Sequence, residues 1–356
     1  LYIMKKNIFI LGLASMLFVN CSDNESDPVV ADNTINQEIL TNTSLNVITA
    51  TYKELYDNSV LLTTACQNLS IGNEAELTTV KNVWASTRAP WEKSEGFLYG
   101  PVDTEGIDPA IDSWPVDVNA INNILNSSQA ITSSLLDNDD ARGFHTIEYF
   151  VWGLNGDKTA SQLTARELEY LVAASQNLQS KTLQLYNGWL QSQGNFANNF
   201  ISAGQSGSIY TSQKNALLEL VEGIIIISDE VATGKIETPL NGDNGNASPQ
   251  DEESRFSNNS KLDFANNIRS IQNIYLGDYG TTQGKGLTDL VASKNATLDA
   301  TIKAKISDAI TAIEAIPGTF TDAIFNNRTA VQNAQQKVAE LKVTLESQLQ
   351  PLISNL

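Results

Sequence analysis

Residues 324–351 read IFNNRTAVQNAQQKVAELKVTLESQLQP. Ile324, Val331, Ala334, Val338, Leu341, Leu345 and Leu349 recur every three or four positions, which lays them on one narrow stripe of a helix that Pro351 should stop. Leu45, Ile48, Tyr52, Leu55, Leu62, Cys66 and Leu69 repeat that spacing near the other end. Between them the same pattern predicts helices at about 74–99, 116–136, 139–153, 164–192, 209–232, 260–276 and 297–316. Two-residue alternation is missing, so the chain reads as all-α. Narrow stripes on long helices suit up-and-down bundles. The Gly/Ser/Asn stretch at 193–207 divides them into an N-terminal bundle (35–198) and a C-terminal bundle (205–356). Gly100–Pro115 and the polar stretch 233–260 read as further loops, the latter long enough to suggest a function.

The first residues read as a targeting segment. Leu1–Ile3 precede Met4 as a start-site artefact, and Met4-Lys5-Lys6 is a short basic start before an apolar run from Ile8 to Val19. Twelve helical residues rise about 18 Å, short of a hydrocarbon core of about 30 Å. Residues 1–20 are therefore expected to be a signal peptide. Leu17-Phe18-Val19-Asn20-Cys21 resembles a lipobox in which Cys21 takes the lipid, with Asn20 in place of the usual small residue. Residues 21–34 then form an acidic tether. The expectation is an outer-membrane lipoprotein of the cell envelope, facing the periplasm or the surface.

With 22 basic and 41 acidic residues the net charge is −19, and losing Lys5 and Lys6 with the signal makes it more negative still. Such a field repels nucleic acid and concentrates cations, so no nucleic-acid partner is expected. A lipidated Cys21 leaves only Cys66, which excludes an intramolecular disulfide and makes Cys66 a core residue.

Four segments carry candidate chemistry. In Gly143-Phe144-His145-Thr146-Ile147-Glu148, His145 and Glu148 are three apart and so share a helix face, where they either converge on one ligand or simply bond to each other. Asp139 or Asp140 is placed to cap that helix. Gly143 implies that a backbone or a ligand passes close by. On the helix before it, Trp84, Arg88, Trp91, Glu95 and Leu98 form a stripe, with Glu92 beside it and Pro90 bending the backbone. Charges on a tryptophan face must be paired or coordinated, the plain alternative being an Arg88–Glu95 ion pair. In Ile107–Pro115, two prolines and Trp114 fix the chain, and Asp112 is the polar residue expected to point inward. In 251–263, Ser254 and Ser257 are ordinary helix-cap residues by composition.

Together these segments resemble the imelysin family. The resemblance rests on Trp84-x-x-x-Arg88-x-x-Trp91-x-x-x-Glu95, Gly100-Pro101, Ile111-Asp112-Ser113-Trp114-Pro115, Gly143-x-His145-x-x-Glu148 followed by Gly153, and Glu253-Ser254-x-Phe256-Ser257-Asn258 with Asp263. It runs in order from about residue 35 to 350. It implies two four-helix bundles with a site between them and a metal-linked role with the His145/Glu148 pair as ligands. The family's name denotes a metallopeptidase, while other members resemble metal- or iron-acquisition components.

The expected site is His145, Glu148, Glu95, Glu92 and Asp112, supported by Trp84, Arg88, Trp91, Gly143, Ser254 and Ser257. With one histidine in the chain, every other ligand must be a carboxylate, a hard set better suited to iron, manganese or calcium than to zinc; with the family resemblance, iron is the first choice. The preferred reading is a protein that binds a divalent or ferric ion, or a metal-bearing ligand, for iron uptake or sensing. A metallopeptidase using the same pair and a structural surface protein without metal are the alternatives. Calcium is an open choice of ion, although residues 241–251 lack the spacing of a calcium-binding helix-loop-helix. Gly284-Lys285-Gly286 lacks the Ser or Thr of a phosphate-binding loop. Nothing in the sequence bears on oligomeric state.

Overall fold

A computed structural model describes residues 29–137 and 141–356. The expected signal peptide, the expected lipidation site Cys21 and most of the expected tether lie outside the described residues, as do Asp139 and Asp140 with their proposed cap. Among the described residues the chain is helical with no strand, beyond two isolated bridges. The longer helices are α1 (Val29–Asn42), α2 (Thr49–Asn68), α3 (Glu74–Glu92), α4 (Gly143–Trp152), α5 (Ala165–Trp189), α6 (Gln213–Glu230), α7 (Ser260–Leu276), α8 (Ala296–Glu314) and α9 (Arg328–Thr344). No described helix is long and apolar enough to cross a membrane.

Local chemistry sets many of the ends. Asn73 caps α3 by accepting from the Glu76 amide, and Thr164 with Glu167 forms a capping box on α5. Gly277, left-handed at φ 77°, closes α7. Helices α2, α3, α4 and α5 pack on one another, and α6, α7, α8 and α9 form a second set. Contacts of α3 with α7, and of the turn Glu95–Phe97 with α6 and α7, join the two; α1 leans on α6. The Tyr52, Leu55, Leu62 and Cys66 side chains of α2 are buried, as are Val331, Ala334, Val338, Leu341, Leu345 and Leu349 at the C-terminal end. Each large apolar residue so buried contributes about 1.5–3 kcal/mol before the entropy of ordering is counted. Burial also pushes the Cys66 thiol up to about 12, as suits a core residue. The two sets approach closely at Gly223, where a Cβ would stand 2.2 Å from the Gly96 carbonyl oxygen.

Several expected boundaries move. The helix read as 74–99 ends at Glu92, and Glu95 falls in a separate 3₁₀ turn. Pro90 has no N–H for the Ser86 carbonyl, which accepts instead from Asn58 Nδ2 at 3.0 Å. The segment 116–136 forms two short helices, Val118–Leu125 and Ser133–Leu136. The stretch 233–260 begins as helix, with a π turn Val231–Ile236 and then Glu237–Asn241. Pro351 does not stop the last helix: a π turn at Leu345–Leu349 leads into Gln350–Ser354, where proline sits in the first turn and its missing N–H costs nothing. A π turn at Thr43–Ile48 likewise shifts the face of the first stripe, leaving Leu45 half-buried and burying Val47 and Ile48.

Candidate metal centre

The segments singled out in the sequence meet where the two sets of helices touch. Helix α3 supplies Trp84, Arg88, Trp91 and Glu92; the segment after Ile107–Ile111 supplies Asp112; α4 supplies His145 and Glu148. From the second set come Lys235, Glu253 and, on α7, Asp263 and Asn267. Arg88, Glu92, His145, Glu148 and Asp263 are fully buried.

Gly143 opens α4 at φ +80°, and a Cβ there would stand 2.3 Å from the Ile111 carbonyl oxygen. This close approach sets Asp112 beside His145. Gly143→Ala combines a forced left-handed alanine with a backbone clash, and is expected to cost about 2–3 kcal/mol. Thermal melting checks it; an unchanged midpoint would mean that the two segments separate freely.

Arg88 is the cationic centre. Its guanidinium contacts Glu92 Oε1 and Glu253 Oε1 at 2.5 Å each, bonds Asp112 Oδ1, and has Asp263 Oδ2 3.7 Å from its Nε. Arg88 also lies over the Phe144 ring. The Arg88–Glu95 pair raised as the plain alternative is absent among these contacts, because Glu95 has left the α3 stripe. Glu95 meets Lys235 Nζ at 3.1 Å, and Lys235 also reaches Glu253 Oε2 at 2.9 Å and Glu92 Oε2 at 3.9 Å. The tryptophans hold the frame: Trp91 Nε1 donates to Asp112 Oδ2 at 2.5 Å and Trp84 Nε1 to the Phe144 carbonyl at 3.0 Å. Trp114 presents its edge to the His145 ring, 4.9 Å between centroids.

His145 and Glu148 do not converge on a common point. Glu148 Oε2 lies 2.8 Å from His145 Nδ1, and its Oε1 accepts from the Ser257 amide and hydroxyl at 2.8 and 2.7 Å. Both Glu148 oxygens are thereby engaged in orienting the ring. The other ring nitrogen, Nε2, faces Asp112 Oδ1 at 3.1 Å and Glu253 Oε1 at 3.5 Å. Asp112, His145 and Glu253 form one group able to hold a cation, and Glu92, Glu95 and Asp112 a second that shares Asp112. Ser254 is buried beside Asp263. Sequence reasoning missed Lys235, for which there is no local signal, and gave Glu253 and Asp263 no chemical role although both stand in the quoted motif.

Two cations, Arg88 and Lys235, face five carboxyl groups, Glu92, Glu95, Asp112, Glu253 and Asp263, while Glu148 meets His145 and Ser257. Burial pushes Glu92 up to about 8 and Asp263 to about 6, and Glu95 well above its usual range, despite the nearby cations. Burial acts the same way on Asp112, but Arg88 and His145 outweigh it and hold the group at about 2. Glu253 is likewise driven low, burial being overcome by Lys235, His145 and Arg88. Burial and Arg88 disfavour a charged imidazole, yet bonds to Asp112, Glu148 and Glu253 raise His145 well above the ordinary histidine value. The donors fit a metal ion: a buried imidazole nitrogen and two carboxylate oxygens within 4.8 Å of one another, with an orienting carboxylate on the far nitrogen.

Residues 48–345 match the imelysin family. The iron-regulated protein A of Synechococcus elongatus is 28% identical over 284 residues, which is 78% of this chain and 76% of that protein. The crystal structure of a Parabacteroides distasonis protein named after iron-regulated protein A superposes with a TM-score of 0.79 at 27% identity, covering 94% of this chain and 97% of the other. An imelysin-like protein from Psychrobacter arcticum shares the fold, with a TM-score of 0.72 at 16% identity over 90% and 96% of the two chains. The chain belongs to the imelysin family.

Proposed function

We propose that this protein binds a metal ion through His145 Nε2, Asp112 and Glu253, with Glu92 and Glu95 as the adjoining carboxylates and Glu148 as the residue that orients the imidazole. The observation that carries this reading is the His145 ring itself. Its Nδ1 is bonded to Glu148, so a neutral ring turns the Nε2 lone pair towards two carboxylate oxygens at 3.1 and 3.5 Å. Arg88 already offsets part of the charge on those two oxygens, but the buried lone pair itself has no partner unless a proton or a metal cation stands there. One imidazole with several carboxylates favours iron over zinc, with manganese or calcium as competitors. The relatives named for iron regulation support iron as the first ion to try.

Burial of His145 and Asp112 favours retention of an ion over peptide hydrolysis, which needs room for a substrate and an open water position. The lipid anchor at Cys21 and residence in the cell envelope, at the outer membrane, belong to the same proposal, as does a role in iron uptake or sensing. If Glu148 orients the ring, Glu148→Gln lowers metal affinity by about 10–100-fold, while His145→Ala lowers it further. Calorimetric titration with ferrous iron and manganese reads both variants. Equal affinity of wild type and His145→Ala removes the histidine from the site.

A further inference from the structure

The segment that brings Glu253 and Ser257 to the metal centre presents its other side to solvent. There Leu154, Asn155, Arg255, Asn258, Thr319, Thr321, Asp322 and Phe325 line a groove of about 500 Å³. Arg255 is the unusual member. In a chain of net charge −19, its guanidinium makes no hydrogen bond and no ion pair within 4 Å among the described residues, and its Nε is buried without a partner. It lies instead over the Phe256 ring, 5.1 Å from the centroid. Its charge is felt by Glu252, whose oxygens already accept from Ser260 and Thr321 at 2.6 and 2.7 Å.

The rest of the lining can meet a ligand that carries hydroxyls. The side-chain amides of Asn155 and Asn258 make no hydrogen bond to the described protein, and Asp322 offers an acceptor at the same wall. Asn258 and, four residues earlier, Ser254 are both held left-handed, at φ 58° and 54°. Non-glycine residues pay about 1 kcal/mol or more for that conformation, and such strain gathers where a loop presents side chains to a ligand. Phe325, 55% exposed, and Leu154, 52% exposed, add apolar contact at the rim.

We propose that this groove binds a small hydroxylated carboxylate, its carboxylate on Arg255 and its hydroxyls on Asn155, Asn258 and Asp322. A planar guanidinium held over an aromatic ring recognises a carboxylate in bidentate fashion, and the amides and carboxylate supply the donors and acceptors that hydroxyls require. The inference stands on the groove alone and does not require a metal at His145.

Calorimetric titration of the chelator-treated full chain with gluconate and with citrate tests it, with sorbitol as the uncharged analogue and acetate as the carboxylate without hydroxyls. The expected result is saturable binding of at least one hydroxycarboxylate, with sorbitol and acetate at least 10-fold weaker. Arg255→Gln should weaken it by 10-fold or more, Arg255→Lys by less, and Asn258→Gly, which keeps the left-handed backbone, by a few-fold. Thermal melting and a manganese titration of Arg255→Gln, both expected unchanged, separate loss of the groove from loss of the fold or of the cation site. Absence of hydroxycarboxylate binding, or equal binding by Arg255→Gln, overturns the proposal.

Discussion

Replacing Arg88 by methionine is expected to lower stability by about 3–5 kcal/mol, the largest loss from any single change at the site. Methionine fills much of the same volume, so the loss is electrostatic rather than a cavity effect. Arg88 stands within 2.5 Å of Glu92 and Glu253, bonds Asp112, and approaches Asp263 at 3.7 Å. Without it, these buried carboxylates keep only Lys235 and His145 as counter-charges. With an unfolding entropy of about 2.1 cal/mol/K per residue, a loss of 1 kcal/mol lowers the melting midpoint of a chain of this size by about 1.5 °C, so the drop should be roughly 4–7 °C. Adding Glu253→Gln removes one orphaned carboxylate and should recover part of the loss, a coupling that a double-mutant cycle measures. A melting point within 1–2 °C of wild type would show that the carboxyl groups are already neutral and that Arg88 compensates nothing.

The second large effect is a reversal of the usual pH trend. Glu92 has its folded value at about 8 and Asp263 at about 6, both above their ordinary range, with burial the main cause. A carboxyl group whose folded value is raised binds its proton more tightly in the folded than in the unfolded chain. Its contribution is therefore present below the unfolded value, near 4, and is lost as pH rises through the folded value. His145, also raised, acts in the same direction above about 6.5. Between pH 5 and pH 8 the metal-free protein should thus lose stability, by several kcal/mol in sum, where most proteins change little. Chemical denaturation of chelator-treated protein at the two pH values reads the difference. Greater stability at pH 8 would contradict the buried carboxylate excess. A metal ion supplies the missing positive charge, so its stabilising effect should be larger at pH 8 than at pH 5.

The all-helical fold was legible because helical spacing is a property of the local sequence. The stripes of Leu55, Leu62 and Cys66, and of Val338, Leu341 and Leu345, are buried as their spacing requires. What spacing could not anticipate was backbone register. The π turns before α2 and after α9 rotate the face by part of a turn without a sequence marker, and the helix read through Glu95 ends at Glu92. That early end moved Glu95 from Arg88 to Lys235. The candidate site was legible where one segment carries several constraints together, as Gly143 with His145 and Glu148, or Asp112 between prolines and Trp114. Periodicity assigned His145 and Glu148 a common face, but the nitrogen that each carboxylate meets depends on Ser257 and Asp112, which are far away in sequence. Lys235 and Glu253 enter from the second set of helices, through a stretch that composition described only as polar.

Metal content and affinity put the central claim at stake. The full chain is stripped with chelator and titrated calorimetrically with ferrous iron under anaerobic conditions, beside Asp112→Asn combined with Glu253→Gln. The double variant keeps Arg88, His145 and Glu148 and removes the two carboxylates that face His145 Nε2. Saturable binding by the wild type, weakened 100-fold or more in the double variant while its fold is retained, is the predicted result. Absence of binding by the wild type to iron, manganese and calcium alike, or equal binding by the double variant, would contradict it.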